Sequence, residues 1–420
     1  MQMKKIFLLF FFLIIKKSIW AAFILIPMNE DQTDHLKAYG ISYWILESGG
    51  SVQWLLNYEG GSFLTAFTKE VENECLIRGV KYKTIADGQA SAILNDISRP
   101  EVNMDAVKLE KAPRIAVYSP KNKQPWDDAV TLALSYAEIP YDIIYDEEIV
   151  AGKLAEYDWL HLHHEDFTGQ YGKFWISYRG APWYVANQKE AESVAMKLGF
   201  AKVSQLKLFV AKTIKEFVFR GGFLFAMCSA TDSIDIALAA EGVDICQSMF
   251  DGDPADPGAN EKLDYSKTFA FTNFKISLDP AVYEFSDIDA TSTRTLQAEN
   301  DYFSLFEFSA KWDPVPTMLC QNHTSLVSGF MGQTTSFNKK TIKPNVLIMG
   351  ENKAASEARY IHGELGKGTW TFYGGHDPED YQHFVSDPPT DLNLHPNSAG
   401  YRLILNNVLF PAAKKKKQKT

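Results

Sequence analysis

The chain has 420 residues, of which 46% are hydrophobic, 13% aromatic and 22% charged, and its formal net charge is -10. That length admits two domains or one large α/β unit, and the composition is that of a globular protein. The acidic balance excludes a body built to track nucleic acid.

The first 22 residues read as a secretory signal peptide. Lys4 and Lys5 form a basic start, residues 6–15 are an unbroken apolar run, and Ala21 and Ala22 offer small residues for cleavage. The run is too short to span a bilayer, which takes about 20 residues, and Lys16 and Lys17 stop it. The expected address is therefore the periplasm or the extracellular space, with no stable transmembrane segment. Export places Cys75, Cys228, Cys246 and Cys320 in an oxidising compartment, where three full pairings are open. Their wide spacing does not resemble a disulfide scaffold. Cys75, Cys246 and Cys320 read as small buried hydrophobes.

Residues 23–112 form an N-terminal α/β region. Strand patterns at 23–27, 52–56 and 80–85 alternate with helical spacing at 31–47, 71–78 and 89–97. The glycine stretch from Tyr58 to Phe63 reads as a turn. Residues 95–112 are polar and carry Pro100, with Pro113 just beyond, which marks a soft boundary. A second alternating series follows over 113–411. Strands are expected at 114–118, 141–145, 159–163 and 222–227, and helices at 126–137, 146–154, 203–219 and 232–240. Strands separated by helices predict a parallel sheet covered on both faces, with ligands at the strand carboxyl ends. Residues 242–344 are less regular, and the acidic Asp251 to Gly258 stretch reads as a surface loop. Order returns with strands at 345–349 and 368–373 and a helix at 398–409. Residues 412–420 form a basic tail expected to be solvated.

One place argues for a specific chemistry. Cys228 lies between the strand at 222–227 and the helix from 232, with Ala226 and Ala230 as its second neighbours. This is the layout of a nucleophile elbow, which lifts a side chain above an α/β sheet. A cysteine nucleophile needs a base, and that base needs an orienting group. The strand at 368–373 runs into Gly374-Gly375-His376, followed by Asp377 and Glu379. Cys228, His376 and Glu379 are thus the expected catalytic set. A neighbouring imidazolium and a helix N-terminus both stabilise a thiolate.

Here the chain resembles the class I glutamine amidotransferase-like superfamily, including its ThuA-like branch. The resemblance rests on residues 217–222 leading into the elbow, on Gly374-Gly375-His376 and on the final helix near Tyr401 to Leu409. It implies a flavodoxin-like three-layer sandwich with a parallel sheet, carrying Cys228 as nucleophile, His376 as base and Glu379 as orienting acid. The sequence departs from the family in reading His376-Asp377-Pro378-Glu379, with one extra residue. Its equivalent of the oxyanion loop is His163-His164-Glu165-Asp166-Phe167, so Ser229, His164, Glu165 and Asp166 are the pocket or oxyanion candidates. The whole chain is also similar to exported bacterial proteins that carry the label asparagine synthetase B. Its residues do not fit that ATP-dependent chemistry: position 2 is Gln2, and residues 48–53 match only the start of the pyrophosphatase loop.

His161, His163 and His164 offer a weaker alternative as metal ligands, with His376 and His383 reaching from the opposite rim, but no spacing matches a zinc motif. No cofactor-binding pattern is present. The sequence therefore leaves two functions standing. One is a cysteine-dependent hydrolase or amidase acting on a small molecule or glycan. The other is a non-catalytic envelope or carbohydrate-binding module, for which Trp175, Tyr178, Trp183 and Tyr184 supply an aromatic cluster.

Overall fold

The computed structural model describes residues 22–413 except 123, 291–293, 295 and 314. The expected leader up to residue 21 and the lysine tail from 414 lie outside the described residues. Among the described residues, no helix is long and apolar enough to cross a membrane.

The N-terminal part comprises β1 (Phe23–Ile26), α1 (His35–Glu47), β2 (Val52–Leu56), β3 (Ser62–Ala66), α2 (Lys69–Ile77), β4 (Lys83–Ile85), α3 (Asp87–Ser98) and β5 (Asp105–Leu109). Side chains set the helix starts: Asp34 accepts from the Lys37 N–H and Thr68 from the Val71 N–H. The five strands form their own sheet in the order β4-β1-β3-β2-β5, antiparallel throughout. Two of these strands fall where the sequence pattern reads as loop. β3 begins inside the glycine stretch, because Gly60 and Gly61 take φ of +78° and +88° and turn the chain straight back. β5 lies inside the polar boundary segment.

The longer part begins with β6 (Ile115–Tyr118), α4 (Ala129–Tyr136), β7 (Asp142–Ile144), α5 (Asp146–Val150), β8 (Trp159–Leu162), α6 (Trp175–Tyr178), α7 (Pro182–Lys197), α8 (Val203–Arg220), β9 (Phe223–Met227), α9 (Ala230–Ala239) and α10 (Ser248–Asp251). It continues with β10 (Tyr302–Leu305), β11 (Leu326–Ser328), β12 (Phe337–Asn338), β13 (Leu347–Asn352), β14 (Glu357–Leu365), β15 (Gly368–Tyr373) and α11 (Ala399–Leu409). The sheet order is β11-β10-β13-β14-β15-β9-β8-β6-β7, with β12 paired to β14.

This corrects the expectation of a parallel-sheet, flavodoxin-like sandwich. Only the run β7-β6-β8-β9-β15 is parallel. From β15 outward, β14, β13, β10 and β11 are all antiparallel, so the sheet is mixed, and a wholly antiparallel second sheet stands beside it. The physical reason is loop length. Four residues join β13 to β14 and two join β14 to β15, and such short links make only antiparallel neighbours.

Alternate residues of the central strands feed two different cores. Trp159, Phe225, Met227 and Tyr373 pack with α1, α4 and α11, while Leu160, Leu224, Ala226 and Phe372 pack with α8 and α9. The first core continues into the N-terminal sheet through Ile24, Trp54 and Phe63. The far side of that sheet packs Leu25, Leu55 and Leu64 against Ala90 and Ile97 of α3.

Candidate functional site

The carboxyl ends of β6, β8, β9 and β15 converge on one rim, and the site is built from the residues that leave them. Cys228 directly follows β9 and holds φ of +49°, a left-handed conformation that costs a non-glycine residue about 1 kcal/mol or more. Surrounding bonds hold it there. Its N–H donates to the Gly375 carbonyl at 3.2 Å, and its own carbonyl accepts from Thr231 Oγ1 at 2.6 Å and the Thr231 N–H at 3.2 Å. The sulfur accepts from the Gln333 N–H at 3.3 Å.

His376 follows Gly374 and Gly375 off the end of β15. Gly375 has φ of +103°, and a Cβ there would sit 2.4 Å from the Phe330 ring, so only glycine lets the chain pass. The His376 N–H donates to the Met331 carbonyl at 2.9 Å. Its ring is stacked between His163 and His383, with centroids 4.4 Å and 4.6 Å away. His376 Nε2 lies 3.4 Å from Asp127 Oδ1. Cys228 and His376 line one cavity of about 350 Å³, together with His164, Phe174, Tyr283 and His383.

Glu379 does not join this set. Its carboxylate meets His395 Nδ1 at 3.0 Å, and it does not line the cavity. Its N–H donates to Asp377 Oδ1 at 2.8 Å, just after Pro378. The expected orienting acid is therefore replaced by Asp127. That residue sits in the loop after β6, two positions before α4, where the sequence pattern already reads as helix from 126. Burial would raise the Asp127 carboxyl, but His376, His383 and His163 more than offset this and hold it below its ordinary range. The pattern instead reads Asp127 and Asp128 as the first turn of a helix; the observed start of α4 at Ala129 leaves both carboxylates ahead of it.

The oxyanion-loop candidates have separate fates. Ser229 is fully buried and its hydroxyl has no partner among the described residues. His164 packs edge-on against Trp126, and neither ring nitrogen has a hydrogen-bond partner. Burial, reinforced by His163 and His376, holds its ring well below the usual histidine range. Glu165 accepts the His163 N–H at 2.9 Å, and burial pushes its carboxyl up to about 8. Asp166 is spent on the loop itself, accepting from Thr168 and Gly172.

His161 is held through both ring nitrogens, whereas the ligand atoms of His163, His164 and His376 lie within 4.8 Å of one another. Asp128 caps α4 through the Val130 and Thr131 N–H groups and also faces both rings, at 3.1 Å from His161 Nε2 and 3.4 Å from His163 Nδ1. The other nitrogens meet the carbonyls of Phe225 and His376 at 3.2 Å and 3.1 Å. Burial alone would raise Asp128, but the two imidazoles outweigh it and hold the carboxylate well below its usual range.

The remaining cysteines serve packing. All four are free and buried. Burial pushes the Cys75 thiol up to about 12 and raises Cys246 and Cys320 strongly. Of the aromatic cluster, Tyr178 lines the Cys228 cavity, while Trp183 and Tyr184 line a neighbouring cavity of about 170 Å³. Trp126, His164 and Phe174 form a wall common to both. Trp175 instead stacks under Arg179.

No protein-family model matches the chain, and no curated protein does. Among solved structures, the chain is similar to the cytoplasmic protein STM3548 from Salmonella typhimurium, at 9% identity and a TM-score of 0.35, covering 72% of this chain and 100% of that one. The cytoplasmic protein STM1381 from Salmonella typhimurium LT2 matches at 11% identity and a TM-score of 0.33, with 72% and 100% covered. A mutant GH42 β-galactosidase from G. stearothermophilus matches at 12% identity and a TM-score of 0.27, over 63% of this chain and 27% of that chain.

Proposed function

We propose that the chain is an exported cysteine-dependent hydrolase or amidase, with Cys228 as nucleophile, His376 as base and Asp127 orienting the imidazole. One observation carries the reading. A cysteine held at φ +49° between strand and helix shares a cavity with a histidine whose Nε2 faces a half-buried carboxylate. The chemistry follows from those positions. His376 takes the thiol proton, the sulfur attacks the carbonyl carbon of an amide, and the C–N bond breaks as the same proton passes to the leaving amine. Water then attacks the thioester, His376 takes the water proton, and the thiol is restored with release of the acid. The leader expected in residues 1–22 supports export.

Iodoacetamide labelling with peptide mapping tests this at neutral pH. Cys228 is expected to react first, ahead of Cys75, Cys246 and Cys320, and His376→Ala is expected to slow it at least about tenfold. A Cys228 that labels only after unfolding, or at an equal rate in His376→Ala, refutes the assignment.

The aromatic wall favours a second reading. Trp126, Phe174, Trp183 and Tyr184 line a cavity suited to an apolar sugar face, which a non-catalytic carbohydrate-binding module would use. Glycan binding retained by Cys228→Ala, in a protein whose Cys228 does not label, selects that reading.

A further inference from the structure

The hydrolase reading uses one face of His376 and leaves His383 and Asp380 without a role. His383 Nδ1 lies 2.8 Å from Asp380 Oδ2. A carboxylate only accepts, so that nitrogen carries the hydrogen. The other nitrogen, Nε2, faces Asp127 Oδ1 at 3.2 Å without hydrogen-bond geometry. Two potential ligand atoms are thus turned toward each other in a nearly closed site. The His383 side chain is 4% exposed and that of Asp127 is 11% exposed. The second oxygen of Asp127 also has no hydrogen-bond partner among the described residues. Asp127 Oδ1 lies 3.4 Å from His376 Nε2 as well.

These are the separations of ligands around one ion. Bonds of about 2.0–2.1 Å in a tetrahedron place neighbouring ligands about 3.3 Å apart. The donor atoms of Asp127, His376 and His383 all lie within 4.8 Å of one another. Two imidazoles and a carboxylate suit zinc or a similar divalent transition ion, and the cavity beside them leaves a fourth position open. Asp380 takes the outer position that fixes a ligating histidine's tautomer. Together Asp127 and Asp380 supply two negative charges against a dication. His164, whose two buried nitrogens have no partner among the described residues, lines the same cavity with its ring centroid 6.0 Å from that of His376.

We propose that Asp127, His376 and His383 form a divalent transition-metal site, and that a bound ion withholds His376 from Cys228. The second half rests on the hydrolase reading; the first half does not. The full chain, stripped with chelator, is titrated with zinc against a chromogenic chelator. One zinc per chain is expected. His383→Ala and Asp127→Ala are expected to weaken binding at least about tenfold, and Asp380→Asn by about 10–100-fold. Cys228→Ala is expected to keep the affinity within about twofold of the unaltered chain. Circular dichroism confirms that each variant is folded. Zinc uptake well below one per chain, or an unchanged affinity in folded His383→Ala, overturns the site. Loss of affinity in Cys228→Ala overturns the donor assignment, because the sulfur would then be a ligand.

Zinc is further expected to slow iodoacetamide labelling of Cys228 in the unaltered chain and not in His383→Ala. Labelling that zinc leaves unchanged, with the ion bound, overturns the regulatory half. A Cys228 that fails to label in stripped protein instead refutes the hydrolase reading and leaves the metal site standing.

Discussion

Replacing Asp128 tests how the site is held together. Its carboxylate caps α4 through two N–H bonds of 2.8 Å and 3.0 Å, and it faces the fully buried rings of His161 and His163. Loss of an N-cap costs about 1 kcal/mol. Removing the anion also leaves two buried imidazoles without their counter-charge, and breaking a buried pair in that way costs about 3–5 kcal/mol. Asp128→Ala is therefore expected to lower unfolding stability by at least about 3 kcal/mol. Asp128→Asn keeps an accepting oxygen for the cap, so the difference between the two variants separates the cap from the charge. Urea unfolding with linear extrapolation measures both. The loss should also reach function, because His163 Nε2 bonds the His376 carbonyl at 3.1 Å and Asp128 fixes the His163 ring. Folded Asp128→Asn is accordingly expected to label more slowly at Cys228. An Asp128→Ala protein within about 1 kcal/mol of the unaltered chain would show that neither the cap nor the pairing bears on the fold.

Gly375→Ala is expected to cost more than about 1 kcal/mol, because the residue holds φ +103° and the new methyl meets the Phe330 ring; an unchanged urea midpoint would contradict this. Lys173 gives a pH signature. Burial lowers its ammonium to about 8 from 10.5, against opposing pulls from Asp166, Asp279, Glu284 and Asp232. Between those values the unfolded chain binds more protons than the folded one, so stability contributed at this position rises with pH across that window. The stability of the unaltered chain, taken relative to Lys173→Met, should therefore increase from pH 8 to 10.5, and a flat difference would refute the assignment.

The elbow was legible because its signals are local. An apolar run into Cys228 followed by small residues and a helix is a pattern of neighbours, and the same holds for the glycines before His376. Those strand–helix alternations also locate β6, β8, β9 and β15 close to where they fold. What failed needed distance. β14, a nine-residue strand at Glu357–Leu365, went unread, and with it the antiparallel half of the sheet. Its neighbours are fixed by short connections and by side-chain packing, not by its own periodicity.

The sequence by itself determined which atoms could do chemistry: a thiol at a strand end, an imidazole behind two glycines, and a histidine-rich loop. Tertiary structure alone decided which of them meet. Asp127 displaced Glu379 beside His376 because parallel pairing brings the loop after β6 to the same rim as the end of β15, although 249 positions separate the two residues. Glu379, only three positions from His376, faces His395 instead. Proximity along a chain constrains a side chain's direction weakly, whereas strand register constrains it strongly.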